Sequence, residues 1–292
     1  MSLLDGFEHV VRQDESLAPF TRLNIGGNAE YFAEPTNRDE LIQLVKRFSE
    51  NDQPIRLIGS GSNLLVSDEG VSGLVIHLGA AEFGSINVTE RGLIAGGGAR
   101  LSHFVSMAAR EGFAGPERLV GLPGTIGGAL HNNTGAHGVD IGTWVKRAEV
   151  LTRAGEVAER DAESMAFSYR QSSLSELVIL SAEFEFEKGD VNELSKAMQK
   201  LWIVRRASHV SVDQHAAYMF EDSGSESAST LIERAGVTGT KVGKVSLFDA
   251  DPNFFVCEPG ATSDEVKQMI RTVQQQVQDK LEIDLKTAIQ IW

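Results

Sequence analysis

Two glycine-rich stretches carry the clearest chemical signal in this sequence. Gly59-Ser60-Gly61-Ser62-Asn63-Leu64-Leu65 follows directly on a short apolar run, and Gly121-Leu122-Pro123-Gly124-Thr125-Ile126-Gly127-Gly128 forms the second. Glycine tolerates positive φ and carries no Cβ, so successive backbone N–H groups can converge on one anion such as a pyrophosphate. Ser60, Ser62, Asn63 and Thr125 add side-chain donors. One isolated Gly-x-Gly is usually a tight turn; two donor-rich, uncharged loops point instead to a dinucleotide. The familiar alternatives fail on residue type. A Rossmann loop needs a third glycine where Leu64 stands. A P-loop needs a glycine where Thr238 stands and a hydroxyl residue after Gly243-Lys244, where Val245 follows. No Gly-x-Ser-x-Gly nucleophile elbow occurs. His103, His131 and His137 lack metal-ligand spacing, and the single Cys257 excludes an intramolecular disulfide or a multi-cysteine metal site.

The elements that must position these loops alternate helix and strand without a strict βαβ rhythm. Thr36 or Asn37 can cap a helix carrying Leu41, Ile42, Leu44, Val45 and Phe48. Ile55–Ile58 and Leu74–Leu78 read as buried strands, and Leu101–Gly112 as a helix stopped by glycine. Ala148–Thr152 and Glu156–Asp161 form a predicted hairpin, and Leu177–Phe186 a further strand. Val191–Arg206, with Leu194, Met198, Leu201 and Val204 as its apolar stripe beside Trp202, reads as a bridging helix. Beyond it lie a small helix around Ser229–Ala235, a strand Phe254–Cys257, a long helix from Thr262 or Ser263 and a closing strand Ala288–Trp292. The fold class is α+β, with a break near residue 200. At 292 residues and 41% hydrophobic content, two or three compact units are expected. Lys and Arg number 27 against 41 Asp and Glu, so the charge of −14 disfavours a nucleic-acid partner. No apolar run approaches a membrane span of about 20 residues, and the first residues lack a basic start and apolar stretch. A soluble, cytoplasmic protein is expected.

The order of the motifs resembles the UDP-N-acetylenolpyruvoylglucosamine reductases. Thr21-Arg22-Leu23-Asn24-Ile25-Gly26-Gly27-Asn28-Ala29 is similar to their N-terminal signature, and Gly59–Leu65 with Val66-Ser67-Asp68-Glu69-Gly70 to their first FAD loop. Pro123–Ala129 with Asn133-Thr134-Gly135-Ala136-His137-Gly138 resembles the second FAD loop, and Phe167–Ser173 the Tyr-Arg-x-Ser element. Leu231–Gly236 and Asn253-Phe254 continue the match. The resemblance implies a two-part FAD-binding region of the vanillyl-alcohol-oxidase type (1–80 and 81–200) and a C-terminal α/β substrate-type domain (201–292). It assigns FAD to Gly59, Ser60, Gly61, Ser62, Asn63, Leu64, Pro123, Gly124, Thr125, Gly127, Gly128, Asn133, Gly135 and His137. It also implies hydride flow from NADPH through FAD to an enolpyruvyl double bond. A serine then acts as general acid, while an arginine and a glutamate stabilise the enol-like intermediate.

This chain departs from the pattern on the substrate side. Arg170 keeps the family arginine, but Tyr218 stands where the proton-donor serine belongs, and Ala288 where the glutamate belongs. The family's Lys-Asn becomes Glu221-Asp222, its His-Ala-Asn-Phe becomes Asp251-Pro252-Asn253-Phe254, and its Gln-Pro becomes His209-Val210. From 207 to 232 there is no Lys or Arg, while Asp213, Glu221, Asp222 and Glu226 are present. The family's substrate carries a diphosphate and a carboxylate, and like charges about 4 Å apart cost roughly 1 kcal/mol even in water. The charge pattern therefore opposes a UDP-sugar. Three readings follow: a flavoprotein whose ancestral reaction is lost or altered, an active reductase using Tyr218 or water as its acid, or a cofactor-free scaffold whose glycine clusters are turns.

Overall fold

The computed structural model describes residues 3–208, 215–223 and 226–292; His209, Val210 and Asp213 lie outside them. The chain forms two compact units, each discontinuous: 1–13, 31–60 and 72–204 make the first, and 14–30, 61–71 and 205–292 the second.

Two sheets lie mainly in the first unit. In one, strands run in the order Val11–Ser16, Asn28–Ala33, Val71–His77, Ile55–Ile58. The last two are parallel, with Ile55 opposite Leu74 and Ile58 opposite His77. Helix α1 (Arg38–Glu50) lays Leu41, Leu44, Val45 and Phe48 into a core with Ile55, Leu74 and Ile76. Its start is fixed from both directions: Asn37 Oδ1 accepts from the Glu40 N–H, while Glu40 reaches back to the Thr36 N–H at 2.8 Å and faces His9 at 3.0 Å. The Thr36 bond, then His9, holds the Glu40 carboxyl down from 4.5 to about 2. A carboxyl lowered by folding stabilises the fold above its ordinary pKa and loses that contribution as pH falls through the folded value. Acid titration of stability between pH 4.5 and 2 should therefore contain a Glu40 component. Glu40→Gln should flatten the stability profile in that window.

The second sheet is antiparallel, in the order Val157–Asp161, Val145–Leu151, Val178–Glu185, Gly92–Gly96, Ile86–Val88. The predicted hairpin is present, with Leu151 opposite Val157. Helices α2 (Leu101–Arg110) and α3 (Ile126–His131) cover this sheet, with Phe104 and Phe184 rings 4.6 Å apart in the core. Helix α4 (Val191–Ser208) follows. Of its predicted stripe only Leu194 is buried; Val204 is 51% exposed, so this helix is not held along its whole length by an apolar face.

The second unit centres on an antiparallel sheet ordered Ala216–Tyr218, Asp251–Cys257, Val245–Phe248, Lys241–Val242. Helices α5 (Ala228–Arg234) and α6 (Ser263–Leu281) bury Leu231, Ile232, Val266, Met269, Ile270, Val273 and Val277 against it. Thr262 and Glu265 close a capping box at the start of α6. Leu23, Ile25 and Leu65, from the two short N-terminal segments, complete the same core. Leu64–Leu65 pairs in parallel with Gln290–Ile291. Asn253 is fully buried and clamps Phe220 twice, its Nδ2 donating to the Phe220 carbonyl and its Oδ1 accepting from the Phe220 N–H. Asn253→Ala would orphan both buried groups, at about 1–3 kcal/mol each. The urea midpoint should fall with the m-value unchanged.

Candidate functional site

The first glycine loop leaves the strand Ile55–Ile58 and ends where Leu64 begins to pair. The N–H groups of Ser60, Gly61, Ser62 and Asn63 donate to no backbone or side-chain acceptor among the described residues. Four successive N–H groups left free make a nest for an anion. Gly61 is left-handed (φ +57°), and a Cβ there would sit 2.1 Å from the Phe20 carbonyl oxygen and 2.7 Å from Thr21 Cα. The Asn63 side chain is engaged within the chain, donating to the Ala288 carbonyl. Leu64 is buried.

The second loop docks on Gly97–Ala99: the Gly127 N–H donates to the Gly97 carbonyl and the Ile126 N–H to Ala99. Thr125 caps α3, accepting from the Gly128 N–H. The two loops meet within the first unit, where a Cβ on Gly59 would lie 2.8 Å from Thr125 Oγ1. Gly124, at φ +132°, faces open space: a Cβ would meet nothing within 4 Å. Free N–H donors at the first loop are what a bound diphosphate requires, so the residues present there fit one.

Asn133 is 2% exposed, and its polar atoms are engaged within the chain, with Nδ2 donating to the Ser168 carbonyl and Oδ1 accepting from the Gly142 N–H. That anchors the hairpin Phe167–Ser168/Gln171–Ser172, which is also held by Ser172 Oγ on the His131 carbonyl. Arg170 sits at the hairpin's tip with φ +57° and its guanidinium 5.7 Å over the Tyr169 ring. No carboxylate pairs with it among the described residues. Gly135 pairs with Asp140 in a short hairpin; His137 is exposed and left-handed.

In the second unit the strand end carrying Tyr218 runs into a segment that pairs with the closing strand: Ala288 N–H donates to the Met219 carbonyl at 2.7 Å, and Glu221 N–H to Lys286. The sequence positions 218 and 288 are thereby brought together across a long stretch of chain. Tyr218 is half-buried, its hydroxyl 3.4 Å from Asp222 Oδ1 and its ring edge-on to Phe254. Asp222 also accepts from the Ala228 N–H at the start of α5. Sequence reasoning missed Asn253 as the clamp on this segment. It also missed the Asp222 contact, because both depend on pairing between distant strands.

The fold and the paired loops define an FAD-binding protein of the vanillyl-alcohol-oxidase type. Residues 29–160 match the FAD binding domain family, and residues 209–292 match the UDP-N-acetylenolpyruvoylglucosamine reductase C-terminal domain. UDP-N-acetylenolpyruvoylglucosamine reductase of Rhodopirellula baltica is 39% identical over 284 residues, covering 97% of this chain and 93% of that one. The reductase of Anoxybacillus flavithermus is 34% identical over 292 residues, covering 99% and 96%. In structure, UDP-N-acetylenolpyruvylglucosamine reductase from Thermus caldophilus superposes with a TM-score of 0.81 at 27% identity, over 97% of this chain and 98% of that one. A chitooligosaccharide oxidase shares the fold, with a TM-score of 0.62 at 12% identity. The chain belongs to the UDP-N-acetylenolpyruvoylglucosamine reductase family, and its cofactor is FAD. Among the described residues no helix is long and apolar enough to cross a membrane.

Proposed function

We propose that this chain is an FAD flavoprotein of peptidoglycan-precursor reductase descent in which the ancestral reduction of a UDP-linked enolpyruvyl sugar is lost or altered. FAD, when bound, supplies hydride chemistry; the protein supplies placement and charge. Gly59–Leu64, Pro123–Thr125, Gly127, Gly128, Gly135 and His137 hold the nucleotide, and Asn133 fixes the hairpin that presents Arg170. The division into 1–80, 81–200 and 201–292 accompanies this reading. In its favour, α1 and the α2–α3 pair pack into different clusters, although the α1 cluster also takes Leu151, Leu177, Val178 and Leu180, and Leu23, Ile25 and Leu65 pack with the C-terminal core.

The observation that carries the proposal is the pairing of Met219 with Ala288. It puts Tyr218 and Ala288, which this reading takes as the serine and glutamate positions, on paired segments that offer a phenol and a methyl group. A methyl group moves no proton, and loss of a general acid alone costs about 10²–10⁴-fold. Glu221 and Asp222 add negative charge beside the same segment. Protein loaded with FAD should therefore oxidise NADPH in dependence on the enolpyruvyl sugar nucleotide at least about 10²-fold more slowly than an intact family member. Turnover at the intact member's rate would refute the proposal.

A second reading, an active reductase with Tyr218 as acid, is favoured by one contact: the phenol is oriented by Asp222 at 3.4 Å. Tyr218→Phe distinguishes it, since only that reading predicts that substrate-dependent turnover disappears with the hydroxyl.

A further inference from the structure

Arg22 has no function in the reading above, and its setting is unusual for a cation. It is half-buried, yet no carboxylate, carbonyl or ring partners its guanidinium among the described residues. Burial alone acts on it, lowering its pKa from the ordinary arginine value; the group stays charged at neutral pH. A charge withdrawn from water without a counter-charge is costly, and proteins normally pair it. None of the described acidic residues supplies one.

The backbone shows where the missing counter-charge belongs. Arg22 N–H donates to the Gly61 carbonyl at 3.1 Å, and its own carbonyl accepts from His215 Nδ1. Thr21 Cα lies so close to Gly61 that no Cβ fits between them. Arg22 is thus strapped against the stretch Gly61–Asn63, whose N–H groups are free. Neither glycine loop contains Lys, Arg or His. Backbone dipoles without a formal charge would have to hold a dianion in a protein of net charge −14.

We propose that Arg22 is a diphosphate-binding residue, its guanidinium providing the formal positive charge beside the N–H nest at Gly61–Asn63. Guanidinium pairs with phosphate oxygens through parallel hydrogen bonds, which Lys cannot reproduce. The diphosphate belongs either to FAD or to a UDP-linked ligand. The first source rests on the flavoprotein reading, and the second does not.

The test is a pair of titrations on Arg22→Gln and the unmodified protein: apo-protein with FAD, followed by flavin fluorescence, and FAD-loaded protein with UDP, followed by calorimetry. Arg22→Gln should weaken one of them at least tenfold, with the far-UV spectrum preserved. Weakening in the FAD arm assigns the cofactor's diphosphate; weakening in the UDP arm assigns the substrate side. A change under threefold in both arms overturns the proposal, whereas unmodified protein that refuses FAD overturns the flavoprotein reading instead. Should Arg22→Gln not fold, Arg22→Lys decides. It keeps the charge and stem but not the fork, so a weakening of threefold or more supports the assignment and unchanged affinity in both arms sinks it.

Discussion

Gly61→Ala empties the protein of flavin. Two costs coincide at this position. The left-handed φ of +57° disfavours any residue with a Cβ, by about 1 kcal/mol. The larger cost is contact, because the added methyl would stand 2.1 Å from the Phe20 carbonyl oxygen and 2.7 Å from Thr21 Cα. Both are backbone atoms, with no flexible side-chain end to move aside. The loop must shift, and the free N–H groups of Ser60–Asn63 shift with it. Loss of their convergence should lower FAD affinity by about 100-fold or more, equivalent to about 2.7 kcal/mol. Gly239→Ala is the control: it too is left-handed, at φ +78°, but its added Cβ meets nothing within 4 Å. That variant should lose a little stability and no flavin affinity. Flavin content equal to the unmodified protein in Gly61→Ala would show that the loop does not hold the cofactor through its backbone.

The second large effect is a gain. On the proposed reading, Tyr218→Ser with Ala288→Glu returns a serine and a glutamate to segments that the structure already pairs. Ala288 is half-buried, so a longer side chain has an outlet there. The double variant should raise substrate-dependent NADPH oxidation by about 10²–10⁴-fold if the missing acid and its glutamate partner are the whole defect. If the reversed charge at Glu221 also opposes the ligand, that rise should wait for Glu221→Lys in addition. The double and triple variants together separate proton transfer, read in kcat, from electrostatic fit, read in KM. A triple variant that binds FAD but stays inactive would place the divergence elsewhere than at these positions.

Local chemistry made much of the fold legible. Asn37 and the acids after it specify the start of α1, Thr262 and Glu265 that of α6, and the turn before Glu156 specifies the hairpin whose Leu151 and Val157 face each other. The glycine loops were legible for the same reason, since positive φ and absent Cβ are properties of single residues. The stripe on α4 misleads, because apolar spacing states which face could be buried and not whether anything covers it; Val204 stays exposed. The run 14–30 and 61–71 gives no sign of joining a unit built from residues beyond 205. The partners of Leu64–Leu65 lie at Gln290–Ile291, and no periodicity within either pair of residues encodes the other.

By itself, the sequence determined the family and the cofactor class, because residue types and their order are chemical facts that need no coordinates. Only the tertiary structure decided that Asn133 and Asn253 are clamps, that Tyr218 meets Asp222, and that Arg22 is half-buried with no counter-ion among the described residues. Those properties belong to no residue alone; they arise when chain segments far apart in sequence exclude water from the same place.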